Sequence, residues 1–220
     1  RMFDYGEGVL QNFQEAVKWY RLSAEQGNSS AQYNLGAMYD RGEGVAENDQ
    51  EAVRWYQLSA EQGFPNAQNE LGNMYYYGTG IPQNYQDALK WYRLAAEQGN
   101  ACGQAWLARL YFNGEGVEQD SEQGLQWLHL SAEQGYDNAQ CELGDMYSKG
   151  EGVSRDDREA RQWYLKAAEQ GDAVAQRSMG VFYAEGCGVE KNPQKAFEWF
   201  QKAAEQGDAH AQLQQGCYYY

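Results

Sequence analysis

Two histidines and four cysteines are the side chains here best suited to nucleophilic or metal chemistry, and their spacing gives them little to work with. His210 and Cys217 fall on one side of a helical segment, but seven residues of helix rise about 10 Å, too far for a base to touch a nucleophile. His129 stands in a position otherwise held by Arg21, Gln57, Arg93, Leu165 and Gln201, and reads as a surface residue. Neither histidine falls in a set with metal-ligand spacing. The recurring Gly-x-Gly-Val, as at Gly42 to Val45, follows a helical pattern, whereas a phosphate loop follows a strand and opens a helix. It reads as a turn. No catalytic, metal or cofactor site is therefore expected, and the chain is read as not an enzyme.

A second chemistry, molecular recognition, has better candidates. Tyr76, Tyr77, Trp106, Arg109 and Phe112 cluster in the middle of the chain, and Trp, Tyr and Arg are the types that carry binding energy at interfaces. Trp106 shares its position with Asn34, Glu70, Glu142, Ser178 and Gln214, so nothing in the repeat demands a ring there.

That last point rests on a strict repeat. Trp19, Trp55, Trp91, Trp127, Trp163 and Trp199 are 36 residues apart with no insertion or deletion. Each unit reads as two helices. The first, Asn28 to Asp40 in the first whole copy, places Ala31, Leu35, Met38 and Tyr39 on one face, and Gly6, Gly42, Gly78, Gly114, Gly150 and Gly186 stop it. The second opens with capping boxes, Asn12 with Glu15, Asn48 with Glu51, Asn84 with Asp87, Asp156 with Glu159, and closes on a glycine such as Gly63. It buries Ala52, Val53 and Tyr56 beside Trp55. Gly36, Gly72, Gly144, Gly180 and Gly216 lie inside helices at a cost of about 1 kcal/mol each against alanine, which close approach at the Ala52 position would explain. Glu25, Glu61, Glu97, Glu133, Glu169 and Glu205 oppose the helix dipole, so a structural bond to the backbone of the next unit is expected of them.

The string AxxxLGxMYxxGxGVxxNxxEAVxWYxxAAEQG, seen from Ala31 to Gly63 and again in whole or part along the chain, resembles the Sel1-like repeat family, a relative of the tetratricopeptide repeat. Leu35, Gly36 and Tyr39 match that relative, Gln32 stands where it has Trp, and the unit is two residues longer, which places the extra residues in the Gly-x-Gly-Val loop. The resemblance implies an all-α fold, a right-handed α/α superhelical solenoid of helix-turn-helix repeats. It also implies an adaptor role, with a partner protein or peptide held in a concave groove lined by the first helices. One cysteine-rich branch of the family is associated with β-lactam binding. Cys102, Cys141, Cys187 and Cys217 lack that branch's regular pairing and read as free thiols, and Ser-x-x-Lys does not occur.

By analogy with the tetratricopeptide groove, the variable inward positions include Tyr33, Asn69, Asn73, Tyr76, Tyr77, Arg109, Phe112, Asn113, Asp145, Lys149 and Arg177, with Trp106 adjacent. Asparagines here would bond a partner's backbone and the aromatic cluster would take an anchor side chain. The groove counts as nearly neutral, which puts the net charge of -15 on the outer faces. Such acidity, with no basic stripe, argues against nucleic acid, and no apolar run is long enough to span a membrane. A single solenoid over residues 1–220 is expected, about five whole repeats with partial ones at both ends, cut from a longer protein. Its uncapped ends suggest end-to-end self-association. Compartment stays open, and a passive spacer or a binder or hydrolase of cell-wall or β-lactam compounds remain as alternatives.

Overall fold

The computed structural model describes residues 12–219, and within them every regular element is a helix. Contacts divide the chain at Asp120 and Ser121 into two compact units. The first holds α1 (Phe13–Glu25), α2 (Ser29–Arg41), α3 (Asp49–Glu61), α4 (Pro65–Tyr77), α5 (Tyr85–Glu97) and α6 (Ala101–Asn113). The second holds α7 (Ser121–Glu133), α8 (Asp137–Lys149), α9 (Asp157–Glu169), α10 (Ala173–Glu185), α11 (Pro193–Glu205) and α12 (Ala209–Tyr219). Within each unit every helix packs on the next in sequence, the pattern of an α/α solenoid.

Helix ends follow the repeat. Asn48 accepts from the Glu51 N–H at 3.1 Å and Asp156 from that of Glu159 at 3.1 Å, so the forward half of each capping box forms. The return half is replaced. The Asn48 backbone N–H donates instead to the Tyr39 carbonyl at 2.9 Å, and Asn84, Asp156 and Asn192 do the same to Tyr75, Tyr147 and Tyr183, tying the two helices of a repeat together. The first helix starts one residue later than the periodicity predicts because Asn28 is its N-cap, and it runs through Arg41 to a left-handed Gly42 at φ 65°. Gly6 lies outside the described residues. The loop's second glycine has its own reason: a Cβ on Gly80 would meet the Asp49 carbonyl carbon and oxygen at 2.6 Å, where the loop rests on the start of the preceding repeat's second helix.

The core is built one repeat at a time. Leu35, Leu71, Leu107 and Leu143 are fully buried, and each repeat's second helix adds alanines and a ring, as Ala52, Tyr56 and Ala60 do. Gly36, Gly72, Gly144 and Gly180 are explained by that ring rather than by Ala52, while a Cβ on Gly216 would meet nothing within 4 Å. The atoms nearest the missing Cβ of Gly36 belong to Tyr56, the closest at 2.7 Å, and Gly144 faces Tyr164 and Gly180 faces Phe200 in the same way.

Glutamines, rather than the recurring glutamates, join the repeats. Gln68 Nε2 donates to the Ala60 carbonyl at the end of α3, while its Oε1 accepts from Gln98 Nε2 at 2.7 Å. The same rung recurs with Gln32 and Gln62, Gln140 and Gln170, and Gln176 and Gln206. Glu61 and Glu205 are exposed and, among the described residues, accept from Gln57 and Gln201, one turn back on their own helices. His129 is also placed differently from the surface reading: it is half-buried, its Nε2 lies 3.4 Å from the Tyr147 hydroxyl, and its ring meets Trp163 edge-on. It fills the place from which Arg93 bonds the Tyr111 hydroxyl at 3.0 Å.

Candidate partner-binding surface

In the first unit, the last turn of α4 and the middle of α6 bring four of the predicted residues together. Trp106 and Arg109, one turn apart on α6, share a face, and Tyr76 and Tyr77 end α4 where Gly78 stops it. The Trp106 ring lies 5.1 Å from Tyr76 and 5.8 Å edge-on from Tyr77. It also stacks parallel on Tyr92 of α5, at 5.6 Å and 5°. The Arg109 guanidinium carbon sits 5.1 Å from the Trp106 ring and 5.7 Å from Tyr76. Tyr77 is 58% exposed and Tyr76 only 7%, so Tyr77 is the open edge of the cluster and Tyr76 its support. The Tyr76 hydroxyl donates to Glu115 at 3.0 Å, and Asn113 Nδ2 reaches the same carboxylate at 3.3 Å. Phe112 is half-buried, and its carbonyl accepts from Gln119.

Below this cluster lies a polar chain that begins at a core ring. The Tyr92 hydroxyl donates to Asn73 Oδ1 at 2.7 Å, and Asn73 Nδ2 donates to Glu70 at 2.9 Å. Asn69 reaches the other Glu70 oxygen at 3.5 Å. Burial pushes the Glu70 carboxyl above its ordinary value, with the Asn73 bond only partly offsetting it and the Asp40 charge adding to it. Asp40, which accepts from the Tyr56 hydroxyl at 3.4 Å, is raised by burial too. Tyr33 packs on Tyr56 at 5.8 Å and Phe64 at 5.2 Å.

Several predicted contacts are thus spoken for within the fold. Asn69 is 6% exposed and Asn73 holds two partners, so neither presents a free amide to a partner's backbone. In the second unit Asp145 accepts from both Tyr164 and Lys149, the latter at 3.0 Å, and that bond pushes the Lys149 ammonium above its ordinary value. Arg177 pairs at 3.5 Å with Asp208, the residue that also receives the Ala211 N–H at the start of α12. Cys141 donates to Asp172 at the equivalent place one repeat earlier. The reason is geometric: this position on a first helix faces the N-cap of the next first helix.

Glu70, Tyr92 and Glu115 were not among the predicted site residues. Tyr92 is hidden in a repeating core position and Glu115 in a loop. Glu70 carried one usable signal: it occupies the Trp106 position one repeat earlier. Among the described residues no group of three or more His, Cys, Asp or Glu side chains could hold a metal ion, and no helix is long and apolar enough to cross a membrane.

Comparison with known proteins agrees with this repeat. The Sel1 repeat profile matches residues 1–28, 29–64, 65–100, 103–136, 137–172 and 173–208. The crystal structure of c5321, described as a protective antigen of uropathogenic Escherichia coli strains with an SLR fold, is 39% identical with a TM-score of 0.87, over 98% of this chain and 46% of that one. This chain therefore spans about half of that protein's length. A Sel1 repeat protein from Oxalobacter formigenes is 36% identical with a TM-score of 0.87, over 93% of this chain and 84% of that one. The immunity protein Pa5087 from Pseudomonas aeruginosa shares the fold at 22% identity and a TM-score of 0.62, over 90% and 75%. Against curated protein sequences there is no match.

Proposed function

The chain belongs to the Sel1 repeat family, typically protein–protein interaction scaffolds, and from that premise we propose that it holds a partner protein or peptide on the first-helix surface of its repeats. The observation that carries this is the cluster of Tyr77, Trp106 and Arg109. It combines an exposed ring with a guanidinium lying over an indole, at positions where the repeat asks for neither. The Tyr76 hydroxyl bond to Glu115 and the Tyr92 stack hold the rings in place before any partner arrives, which lowers the entropy lost on binding. The unbroken 36-residue period supports reading residues 1–220 as one solenoid.

The test is an affinity capture from the source organism's lysate, comparing the parent with Tyr77→Ala/Arg109→Ala. Both side chains are exposed, so the variant should keep its helical signal and melting temperature. Loss of one protein that the parent retains supports the reading. Equal capture by both moves the contacts elsewhere and favours a passive spacer.

A further inference from the structure

The first unit carries a charge imbalance that its fold leaves unresolved. The ion pairs among its described residues are Lys18 with Glu15 and Arg54 with Glu51, and both are exposed. Glu70 and Asp40, two half-buried carboxylates, take part in neither. Arg41 is the cation that acts on both, from an exposed site at the end of α2 that makes no ion pair with them. The second unit handles the same face differently: Asp145 has Lys149 and Asp208 has Arg177.

A second, independent observation points the same way. Asn69 is more than nine-tenths buried, its amide nitrogen turns toward Glu70, and its Oδ1 has no hydrogen-bond partner. A buried amide oxygen without a donor costs free energy, which a donor-rich group placed against Glu70 would recover. Around this point stand rings on both sides, Tyr33 and Tyr56 toward Asp40, and Tyr92 with Trp106 toward Asn73.

We propose that Glu70, with Asp40 and the Asn69 amide oxygen, seats a cationic side chain, arginine or lysine, of the bound partner. The inference rests on the partner-binding reading above and adds to it the chemistry of the anchor. A guanidinium supplies the counter-charge that Glu70 lacks among these ion pairs and a donor for the Asn69 Oδ1. The partner is then a protein with a basic segment, and the chain's net charge of -15 steers it in.

The probe is N-acetyl-Gly-Arg-Gly-amide, with its citrulline analogue as a neutral match in shape. Each is titrated into the 15N-labelled chain while the Trp106 indole N–H is followed, assigned through Trp106→Phe. The arginine peptide should give saturable shifts at Trp106 that citrulline does not, and Glu70→Gln should weaken its binding about tenfold or more, as expected for losing a hydrogen bond between charged groups. Glu61→Gln removes the same charge from an exposed position and should leave binding unchanged. Equal shifts from citrulline, no saturable shift, or equal weakening by Glu61→Gln would overturn the proposal. If the arginine peptide fails while Tyr77→Ala/Arg109→Ala still loses its partner in the capture experiment, the cation seat falls and the binding surface stands. Failure of both removes both.

Discussion

A Cβ on Gly72 would lie 2.6 Å from both Cδ1 and Cε1 of Tyr92, a distance that real side chains do not reach. The chain shows its own solution elsewhere: Ala108 replaces the glycine, and twenty residues on, Leu128 replaces the ring. Gly72→Ala should therefore lower the unfolding free energy by about 1–3 kcal/mol from overpacking, despite its gain in helix propensity. In Gly72→Ala/Tyr92→Leu the two changes should compensate in part. Urea melts of both single variants and the double read this as a coupling energy, and strict additivity would refute it.

The glutamine rungs predict an unequal pair of substitutions. Gln68→Leu removes two hydrogen bonds, the one to the Ala60 carbonyl and the one from Gln98, although Gln98 keeps the Leu94 carbonyl and the Ala60 carbonyl keeps the Gly63 N–H, and should cost about 1–3 kcal/mol. Glu61→Gln, on the same helix end but exposed, should stay within about 0.5 kcal/mol of the parent. Chemical denaturation separates the two, and similar costs would show that the rung contributes little.

Glu70 and Asp40 give stability a pH dependence of definite sign. Both carboxyls have folded pKa values above their ordinary 4.5 and 3.8, so the folded chain binds more protons than the unfolded one between the ordinary and raised values. Their contribution makes stability rise as pH falls from neutral through that window. Asp157, held low by Arg155, works in the opposite sense, but the pair is exposed and weak. Glu70→Gln should raise the melting temperature at pH 7 and flatten its rise on acidification. A lower melting temperature at pH 7 would mean that the carboxylate is a structural need rather than a binding group.

Thiol reactivity should be graded. Burial first, and then the Asp172 charge, push the Cys141 thiol well above its ordinary value, whereas Cys217 is exposed. With a disulfide reagent at pH 8, Cys217 should react first and Cys141 slowest, as mass spectrometry of the labelled peptides would show. Fast labelling of Cys141 in the folded chain would contradict its placement.

Much of this architecture was legible because helix caps and left-handed glycines are local: Asn48, Gly42 and their equivalents need only their neighbours in sequence to declare themselves. What stayed hidden depends on which distant atoms meet. Gly36 announced a close approach without saying that a Tyr56 ring made it. The joining role was expected of the charged Glu61 and its equivalents, yet the buried Gln32 amide can both donate and accept, which a carboxylate cannot. At the site, Trp106 stood out as a lone ring in its column. Glu70 in that same column has a half-buried carboxyl, which its residue type alone does not announce.

Each join between repeats spans a constant number of residues, 8 from glutamine to alanine carbonyl and 30 between paired glutamines. A block of 36 residues copied or lost anywhere in such a gene leaves every severed join with an equivalent partner. The chain can thus lengthen or shorten by unequal crossing-over without learning to fold again, while a singular residue such as Trp106 marks where, along that elastic length, one address is written.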